Sequence, residues 1–338
     1  MKKLITAVGL GLIASISGAI WYLGNVYNDL PVDPTWELSG DAEIPAGAVT
    51  VRFSGTSTLL FSDGSSRWMV DGWFSRPGPW QLAFGKIAPD PEAITYGLQE
   101  NQVSKLQAVI PAHSHYDHAM DSPEVARRTG AVLMGSQSTA NIGIGWGLPA
   151  RQIQVLTDRK PVTVGAFSIT PIESRHLPFT NPEMQQRLLQ NPEITAPLVP
   201  PAGVFDYRLG KAYIFHVSHP KGNFVIVGSA GYESGVLQGF EADVIFLGVG
   251  GLGEKSDAYR DAYWQETVEA VNPSRVIPIH YDSLTGPISG PMQGPVMVMA
   301  LLSGGIEKVL PFLQEKERAH PSLNFHTLPR YKEVILFN

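Results

Sequence analysis

The side chains best suited to chemistry lie close together near the middle of the chain. Three histidines and one aspartate fall within six residues, in the segment His113-Ser114-His115-Tyr116-Asp117-His118. Imidazole nitrogens and carboxylate oxygens are common zinc ligands. The chain has no cysteine, so a metal site must use His, Asp or Glu. This density of ligand types predicts a zinc site.

Short apolar runs lead into the polar positions, as expected for strands that end at an active site. Residues 106–111 precede His113, residues 167–172 precede His176, and residues 275–279 precede His280. Further strands are predicted at residues 49–53, 58–61, 67–70, 224–227 and 244–247. Ser122 and Ser256 are each predicted to cap the start of a helix. We therefore expect the site at one sheet edge, where loops converge.

The motif and the order of the elements after it resemble the metallo-β-lactamase superfamily. A histidine after a strand, a glycine turn and a histidine after a proline follow the motif in that order, as Ser174-Arg175-His176, Gly228-Ser229 and Ile277-Pro278-Ile279-His280. Residues 51–75, and especially residues 70–75, resemble the early strands of the branch that holds the ascorbate-phosphate lactonases and the N-acylphosphatidylethanolamine phospholipases D. The resemblance covers residues 49–285. It implies an α/β fold, a four-layer αββα sandwich, usually with two zinc ions.

The resemblance also assigns roles to the residues. The first zinc ligands would be His113, His115 and His176, with a fourth position left for water. Zinc lowers the pKa of such a water to about 7, which supplies hydroxide at neutral pH. Three further residues would hold a second metal: Asp117, His118 and His280. Without that metal, Asp117 and His118 would act as catalytic residues that orient the water and protonate the leaving group.

One position departs from the superfamily pattern. The glycine turn usually continues with an aspartate that bridges the two metals, and here Ser229 follows Gly228. A Gly-His-Ala segment common in the branch is replaced by Gly55-Thr56-Ser57. One zinc ion or two are therefore both compatible with the sequence, and we expect the second site to be the weaker.

Three other polar residues are candidates near the site. Asp71 either accepts a hydrogen bond from a ligand or is an ordinary turn aspartate before Gly72. Asp282 either supports a ligand or belongs to a surface loop. Tyr232 either donates to a developing oxyanion or packs at the rim of the core.

The first residues of the chain predict an export or anchoring segment. Lys2 and Lys3 precede an uncharged stretch over residues 4–28, which indicates either an uncleaved membrane anchor or a cleaved signal peptide. Residues 29–47 are predicted to be a linker, and residues 48–338 the hydrolase domain. The positive flank places that domain outside the inner membrane, facing the periplasm.

Composition narrows the choice of partners and functions. The net charge of −6 disfavours nucleic acid, because phosphate binding needs clustered Lys and Arg. The favoured function is a zinc-dependent hydrolase acting on an ester, a lactone or a phosphodiester, with a small-molecule or lipid-like substrate. The alternative is a degenerate single-metal or non-catalytic metal-binding protein of the same fold. The proline-rich residues 178–201 are either a lid over the site or a surface elaboration.

Overall fold

The protein contains two facing β-sheets with helices outside them. The computed structural model describes residues 2–40 and 43–338, with side chains described from residue 9 onward. In that part of the chain the first sheet has the strand order β14-β1-β2-β3-β4-β5-β6 and the second β13-β12-β11-β10-β9-β8-β7. This is the predicted α/β sandwich of four layers.

The bounds of the strands follow in chain order. The first sheet consists of β1 (Val49–Gly55), β2 (Thr58–Ser62), β3 (Arg67–Val70), β4 (Ala108–Ile110), β5 (Val132–Gly135), β6 (Ile153–Val155) and β14 (Glu333–Phe337). The second consists of β7 (Val162–Val164), β8 (Phe167–Ser174), β9 (Ala212–His219), β10 (Gly222–Val227), β11 (Val244–Gly248), β12 (Arg275–Ile279) and β13 (Asn324–Phe325).

The α-helices are α1 (Lys2–Asn25), α2 (Pro79–Phe84), α3 (Pro91–Glu100), α4 (Tyr116–Ala119), α5 (Ser122–Thr129), α6 (Gln137–Gly145), α7 (Pro182–Met184), α8 (Asp257–Trp264), α9 (Met297–Ser303) and α10 (Val309–Ala319). Wider π-helical turns continue α7 and α8 over Gln185–Gln190 and Gln265–Glu269. Short 3₁₀ turns occur at Pro34–Trp36, Ala150–Gln152, Val204–Asp206, Leu252–Glu254 and Ile306–Lys308.

An aromatic stack joins the inner faces of the two sheets. Phe61 of β2 stacks on Trp68 of β3 at 4.8 Å and on Phe224 of β10 at 4.7 Å between ring centroids. All three rings are fully buried. Burying each large aromatic ring contributes roughly 2–3 kcal/mol of hydrophobic free energy, so this stack holds the sandwich closed.

Alternate residues of the first sheet point to its outer face, where helices cover them. Met69 of β3 and Val109 of β4 lie in a buried cluster with Ile94 of α3 and Val125 of α5. Strand side chains alternate between faces, so burial on both sides gives continuous apolar runs rather than a polar alternation. This double burial explains why the strands were readable as short apolar segments.

Of the two predicted helix caps, Ser256 is confirmed and Ser122 is wrong. Ser256 caps α8 by accepting a hydrogen bond from the Tyr259 amide. At the other helix the N-cap position is Asp121, one residue earlier than predicted. The Ser122 hydroxyl instead donates to the carbonyls of Asp71 and His118, because it is fully buried beside the β3–α2 loop.

The segment predicted to be a linker packs partly on the body of the protein. Trp36 is buried, its ring lies 5.2 Å from that of Phe325, and its indole nitrogen donates to Glu317 at 3.0 Å. Val32 is also buried. The free energy gained by burying the Trp36 indole on an apolar surface exceeds the conformational entropy that the segment loses. The polar composition of the segment did not reveal this contact.

The N-terminal stretch predicted to be an anchor or signal forms α1. Its side chains are exposed from Leu10 to Tyr22, and the charged flank Lys2-Lys3 lies outside the side chains that the structure describes. Among the described residues, no single helix is long and apolar enough to cross a membrane. The pair Met297–Ser303 and Ile306–Ala319, bent by 78°, meets the criterion of length and composition together.

Candidate metal centre

The loop after β4 carries four of the predicted ligands. Burial is nearly complete for His113, His115 and His118, and Asp117 is also buried. His115 is the N-cap residue of α4, with an extended backbone, so the chain turns into helix between His115 and Asp117. This change of backbone direction puts the first two imidazoles in one ligand group and the next two ligands in another, although the His113 and His118 ring centroids lie 3.8 Å apart.

Two strands of the second sheet deliver the remaining histidines. His176 follows β8 by two residues, and His280 comes directly after β12. His280 adopts a left-handed backbone with φ of 61°, and its amide donates to the carbonyl of Thr56 in the turn between β1 and β2. The contact between sheets fixes where the His280 ring lies.

Within the described residues, these six side chains form two compact groups. One contains His113, His115 and His176, and the other contains Asp117, His118 and His280. In each group the potential ligand atoms lie within 4.8 Å of one another. The structure thus brings together all six predicted metal ligands in the two predicted sets.

The separations of the ligand atoms fit a tetrahedral zinc ion. Atoms about 2.1 Å from zinc at tetrahedral angles stand roughly 3.4 Å apart. His113 Nε2 and His115 Nδ1 are 3.1 Å apart. Asp117 Oδ2 is 3.5 Å from His118 Nε2 and 3.3 Å from His280 Nε2. These three separations are close to the tetrahedral value, and all ligand atoms within each group lie within 4.8 Å of one another.

Burial keeps the first group ready to bind a cation. It lowers the pKa of His113 well below the usual value, with the neighbouring His118 adding to the effect. Burial likewise lowers the pKa of His115 to about 4. These imidazoles are neutral at physiological pH, and a neutral imidazole is the form that binds a metal.

The second group carries the negative charge of the centre. Burial favours the neutral form of Asp117, but the facing imidazoles of His118 and His280 outweigh it and lower the pKa of the carboxyl group. An ionised carboxylate between two imidazoles attracts a cation strongly because the site is shielded from water. Asp117 is the one carboxylate in the two groups.

Asp71 contacts a ligand histidine, as the first of its two interpretations predicted. Its Oδ2 lies 2.8 Å from His118 Nδ1, and its Oδ1 accepts the Ala112 amide at 2.8 Å. It also occupies a turn, with φ of 59° before Gly72. The carboxylate therefore orients the His118 ring so that Nε2 faces Asp117. Ser57, whose hydroxyl lies 3.1 Å from the same nitrogen, is a partner that sequence reasoning did not assign.

Asp282 and Tyr232 contact no ligand ring through a hydrogen bond in the described residues. Asp282 accepts the Thr56 amide at 2.5 Å, and the Thr56 carbonyl in turn accepts the His280 amide. Asp282 thus acts on His280 through one peptide unit. The Tyr232 ring packs 5.3 Å from that of Tyr259, as the packing interpretation predicted.

At the position of the bridging aspartate, Ser229 has a structural contact. Its hydroxyl accepts the amide of Leu177, the residue after His176, at 3.2 Å. The nearby Glu233 is engaged in an ion pair with Arg175. Neither Glu233 nor Asp282 belongs to the two ligand groups formed by the described residues. No described carboxylate therefore replaces the missing bridge.

The proline-rich insertion lies against the first group and against the body. The Phe179 ring is 5.3 Å from the His176 ring and 6.5 Å from the His115 ring. Farther along, the Ile194 carbonyl accepts a hydrogen bond from Asn141 of α6, and Ile194 is buried. The segment combines a wall of the site with a packed surface element.

The protein has two sheets between helices and two groups of potential metal ligands. These features together are typical of a class of metal-dependent enzymes. A sequence model described as a beta-lactamase superfamily domain matches residues 50–280. The chain belongs to the metallo-β-lactamase superfamily. The resemblance to one particular branch of it stays a prediction.

Individual relatives are distant. The chain is 20% identical over 240 residues to a UPF0173 metal-dependent hydrolase from Pyrobaculum islandicum. The aligned region covers 69% of this chain and 84% of the relative. A metallo hydrolase, Igni18, from Ignicoccus hospitalis superposes with a TM-score of 0.51 at 15% identity, covering 85% of this chain and 97% of the other. A "possible metal-dependent hydrolase" from Veillonella parvula superposes with a TM-score of 0.52 at 12% identity, covering 86% and 100%.

Proposed function

We propose that this member of the superfamily is a zinc-dependent hydrolase that cleaves an ester, a lactone or a phosphodiester. The observation that carries the proposal is the pair of ligand groups with tetrahedral separations. The name of the Pyrobaculum relative, a metal-dependent hydrolase, supports the same class of activity.

Zinc bound by the first group would lower the pKa of a coordinated water, so that water becomes a nucleophile near neutral pH. The protein residues then have separate tasks. His113, His115 and His176 hold the cation as neutral ligands. Asp117, ionised and buried, would accept a hydrogen bond from that water and so orient it; its lowered pKa makes it a weak proton acceptor. His118, held by Asp71, and His280 stand where they could protonate a leaving group or bind a second cation.

The test is elemental analysis of the purified protein together with a broad substrate screen. We expect zinc or a similar divalent ion to copurify, and the metal to be lost in the double variant His113→Ala/His115→Ala. An unrelated buried histidine, His216 of β9, provides the matched control His216→Ala. If the native chain lacks metal after supplementation and shows no affinity by titration, the hydrolase proposal fails.

The alternative is a degenerate, single-metal or non-catalytic protein of the same fold. Ser229 favours it, because this serine is bound to the His176 loop and leaves the second group without a bridging charge. The alternative predicts one bound zinc ion and no turnover of ester, lactone or phosphodiester probes. Turnover that depends on His118 and Asp117 would contradict it.

We also propose that residues 1–28 direct the body across the inner membrane, as an anchor or a cleaved signal. The proposal is supported by the uncharged stretch over residues 4–28 after two lysines. A membrane location and the apolar residues of the insertion favour a lipid-like substrate over a polar one.

A further inference from the structure

The helix α9 exposes an apolar surface at its C-terminal end. All of its residues are uncharged, in the sequence MVMALLS, and none of them is buried. Leu301 is 67% exposed and Leu302 is 79% exposed. A helix that exposes this much apolar surface gains little from folding onto the body, so it marks an interaction surface.

The short helix α2 presents a second apolar surface. Phe84 is 86% exposed, and Trp80 is also exposed. The opposite side of the helix is fixed, because Leu82 is buried in a cluster with Trp73 and Ile87. Phe84 is therefore held outward by a packed helix.

Both helices lie at the C-terminal end of α1. Gly24 packs so closely on the Trp80 indole that a Cβ at this glycine would stand 2.5 Å from Nε1. The Met297 amide donates to the carbonyl of Val26 at 2.8 Å, and α1 packs against α9. The exposed apolar residues of α1, α2 and α9 thus converge where α1 meets the body.

We propose that α2 and α9 form a membrane-docking surface that lies in the interfacial layer of a lipid bilayer around the base of α1. Continuity with α1 identifies the occupant. Trp21 and Tyr22 lie near the end of α1, and such aromatic rings favour the boundary between lipid and water. The described part of α1 is not by itself long and apolar enough to cross a membrane. Together with residues 4–8, the uncharged stretch up to Trp21 would measure about 27 Å as a helix, close to the thickness of a hydrocarbon core. Trp80, which packs on Gly24, would then lie at this boundary, and Phe84 and Leu302 on the same two helices would contact the bilayer surface.

The docking surface also lies near the metal centre. Leu82 and Ile87 share their buried cluster with Ala119 and Met120, which directly follow His118. Leu82 of α2 therefore lies in the same buried cluster as Ala119 of α4, the helix that carries Asp117 and His118. Docking would hold the metal centre close to the bilayer and so favour a lipid-like substrate. This inference rests on the proposed membrane location of α1.

Because the chain has no cysteine, one introduced cysteine gives a single labelling site. Single-cysteine variants of the full chain, Phe84→Cys and Leu302→Cys, are labelled with an environment-sensitive fluorophore and reconstituted in vesicles of phosphatidylcholine and phosphatidylglycerol. Ser15→Cys reports separately on α1, and Thr163→Cys on the exposed edge strand β7 is the matched control. Quenching by lipid-borne nitroxides is compared with quenching by aqueous iodide.

We expect the probes at positions 84 and 302 to be quenched several-fold more by lipid-borne nitroxides than the probe at 163, with blue-shifted emission. If the probe at 15 meets lipid while those at 84 and 302 remain as open to iodide as the probe at 163, the docking proposal is wrong and the anchoring proposal stands. Protection from iodide without nitroxide quenching would show a second copy on this surface and would also overturn the proposal. Metal content, measured on the same samples, tests the hydrolase proposal independently.

Discussion

A single residue, Ser229, sets the balance of charge in the metal centre. Two dications about 3.5–4 Å apart repel each other and need a shared anionic ligand. Asp117 is the only carboxylate in the two ligand groups, and Ser229 contributes a neutral hydroxyl that is already bound to the Leu177 amide. We therefore expect the group of three histidines to bind zinc first and the group with Asp117 to bind more weakly.

The variant Ser229→Asp should raise the affinity of the second group, because it adds a negative charge where both cations can share it. A gain of at least about tenfold is reasonable for a charge in a partly shielded site. Zinc titration by calorimetry measures it. Ser229→Asn, with similar shape and no charge, should show no gain. Tight binding of two ions by the native chain, unchanged in Ser229→Asp, would contradict the charge argument.

Asp71 provides a second test at the scale of a residue. In Asp71→Asn the amide oxygen can still accept the Ala112 amide, but the amide nitrogen then faces His118 Nδ1. The ring must move its proton to Nε2, the atom that faces Asp117, and it loses its ability to bind metal there. We expect the affinity of the second group to fall by about 10–100-fold.

The matched control for Asp71→Asn is Asp63→Asn, a buried turn aspartate whose Oδ1 accepts the amides of Ser65 and Ser66. That variant should leave metal binding intact even if it lowers stability. Equal metal affinity in Asp71→Asn and the native chain would mean that His118 takes its orientation from Ser57 instead.

At the scale of elements, Asp121 joins α5 to the loop after β3. Its carboxylate accepts the amides of Phe74 and Ser75 and the Ser75 hydroxyl, and it is fully buried. Burial raises the pKa of Asp121 to about 6 despite these donors. The loop that they hold contains Trp73 and leads to α2, so this carboxylate positions the wall beside α4.

The raised pKa of Asp121 predicts a pH dependence of stability. Between the ordinary value of 3.8 and about 6, the folded state binds more protons at this group than the unfolded state. The contribution of Asp121 to stability is therefore complete below pH 3.8 and is lost as pH rises through 6. In Asp121→Asn, which keeps an acceptor oxygen and does not titrate, this decline should be absent. Urea unfolding of both forms at pH 4 to 7 measures the difference. Parallel pH profiles would contradict the prediction.

At the scale of the whole molecule, α2 connects the N-terminal helix with the buried cluster beside the metal centre. α1 leaves the body beside α2 and α9, and α2 packs through Leu82 onto the cluster that contains Ala119 and Met120. The orientation of the chain in a membrane would therefore decide on which side substrate reaches the metal centre. That orientation is a property of the N-terminal charge pattern rather than of the sandwich.

A reporter fused after Asn338 tests this orientation. We expect a reporter active only in the periplasm to be active, and one active only in the cytoplasm to be silent, because Lys2 and Lys3 favour retention of the N-terminus inside. Replacing both lysines with glutamate is the matched variant and should weaken the bias. The opposite reporter pattern in the native chain would refute the proposed topology. The N-terminus of the mature protein then separates an anchor from a cleaved signal.

The sequence by itself determined the chemistry of the centre and the superfamily. Four ligand-type side chains within six residues needed no tertiary information, because they share one loop. The strands that precede them were also readable, since burial on both faces makes each a short apolar run. Six strands were not predicted: β5, β6, β7, β9, β13 and β14. Four of them, β5, β6, β7 and β13, are only two to four residues long, so pairing with a neighbouring strand rather than a local pattern defines them.

Only the tertiary structure decided how distant residues combine. His176 and His280 lie some 60 and 160 positions beyond the motif, and sheet packing alone sets their rings at ligand distance. The same packing selected the contact of Asp71 with His118 over an ordinary turn role and gave Asp282 an indirect one. It also bound Ser229 to the Leu177 amide and buried Trp36 in a segment with the composition of a linker. Each of these outcomes depends on a partner far away in the chain, and local sequence does not specify that partner.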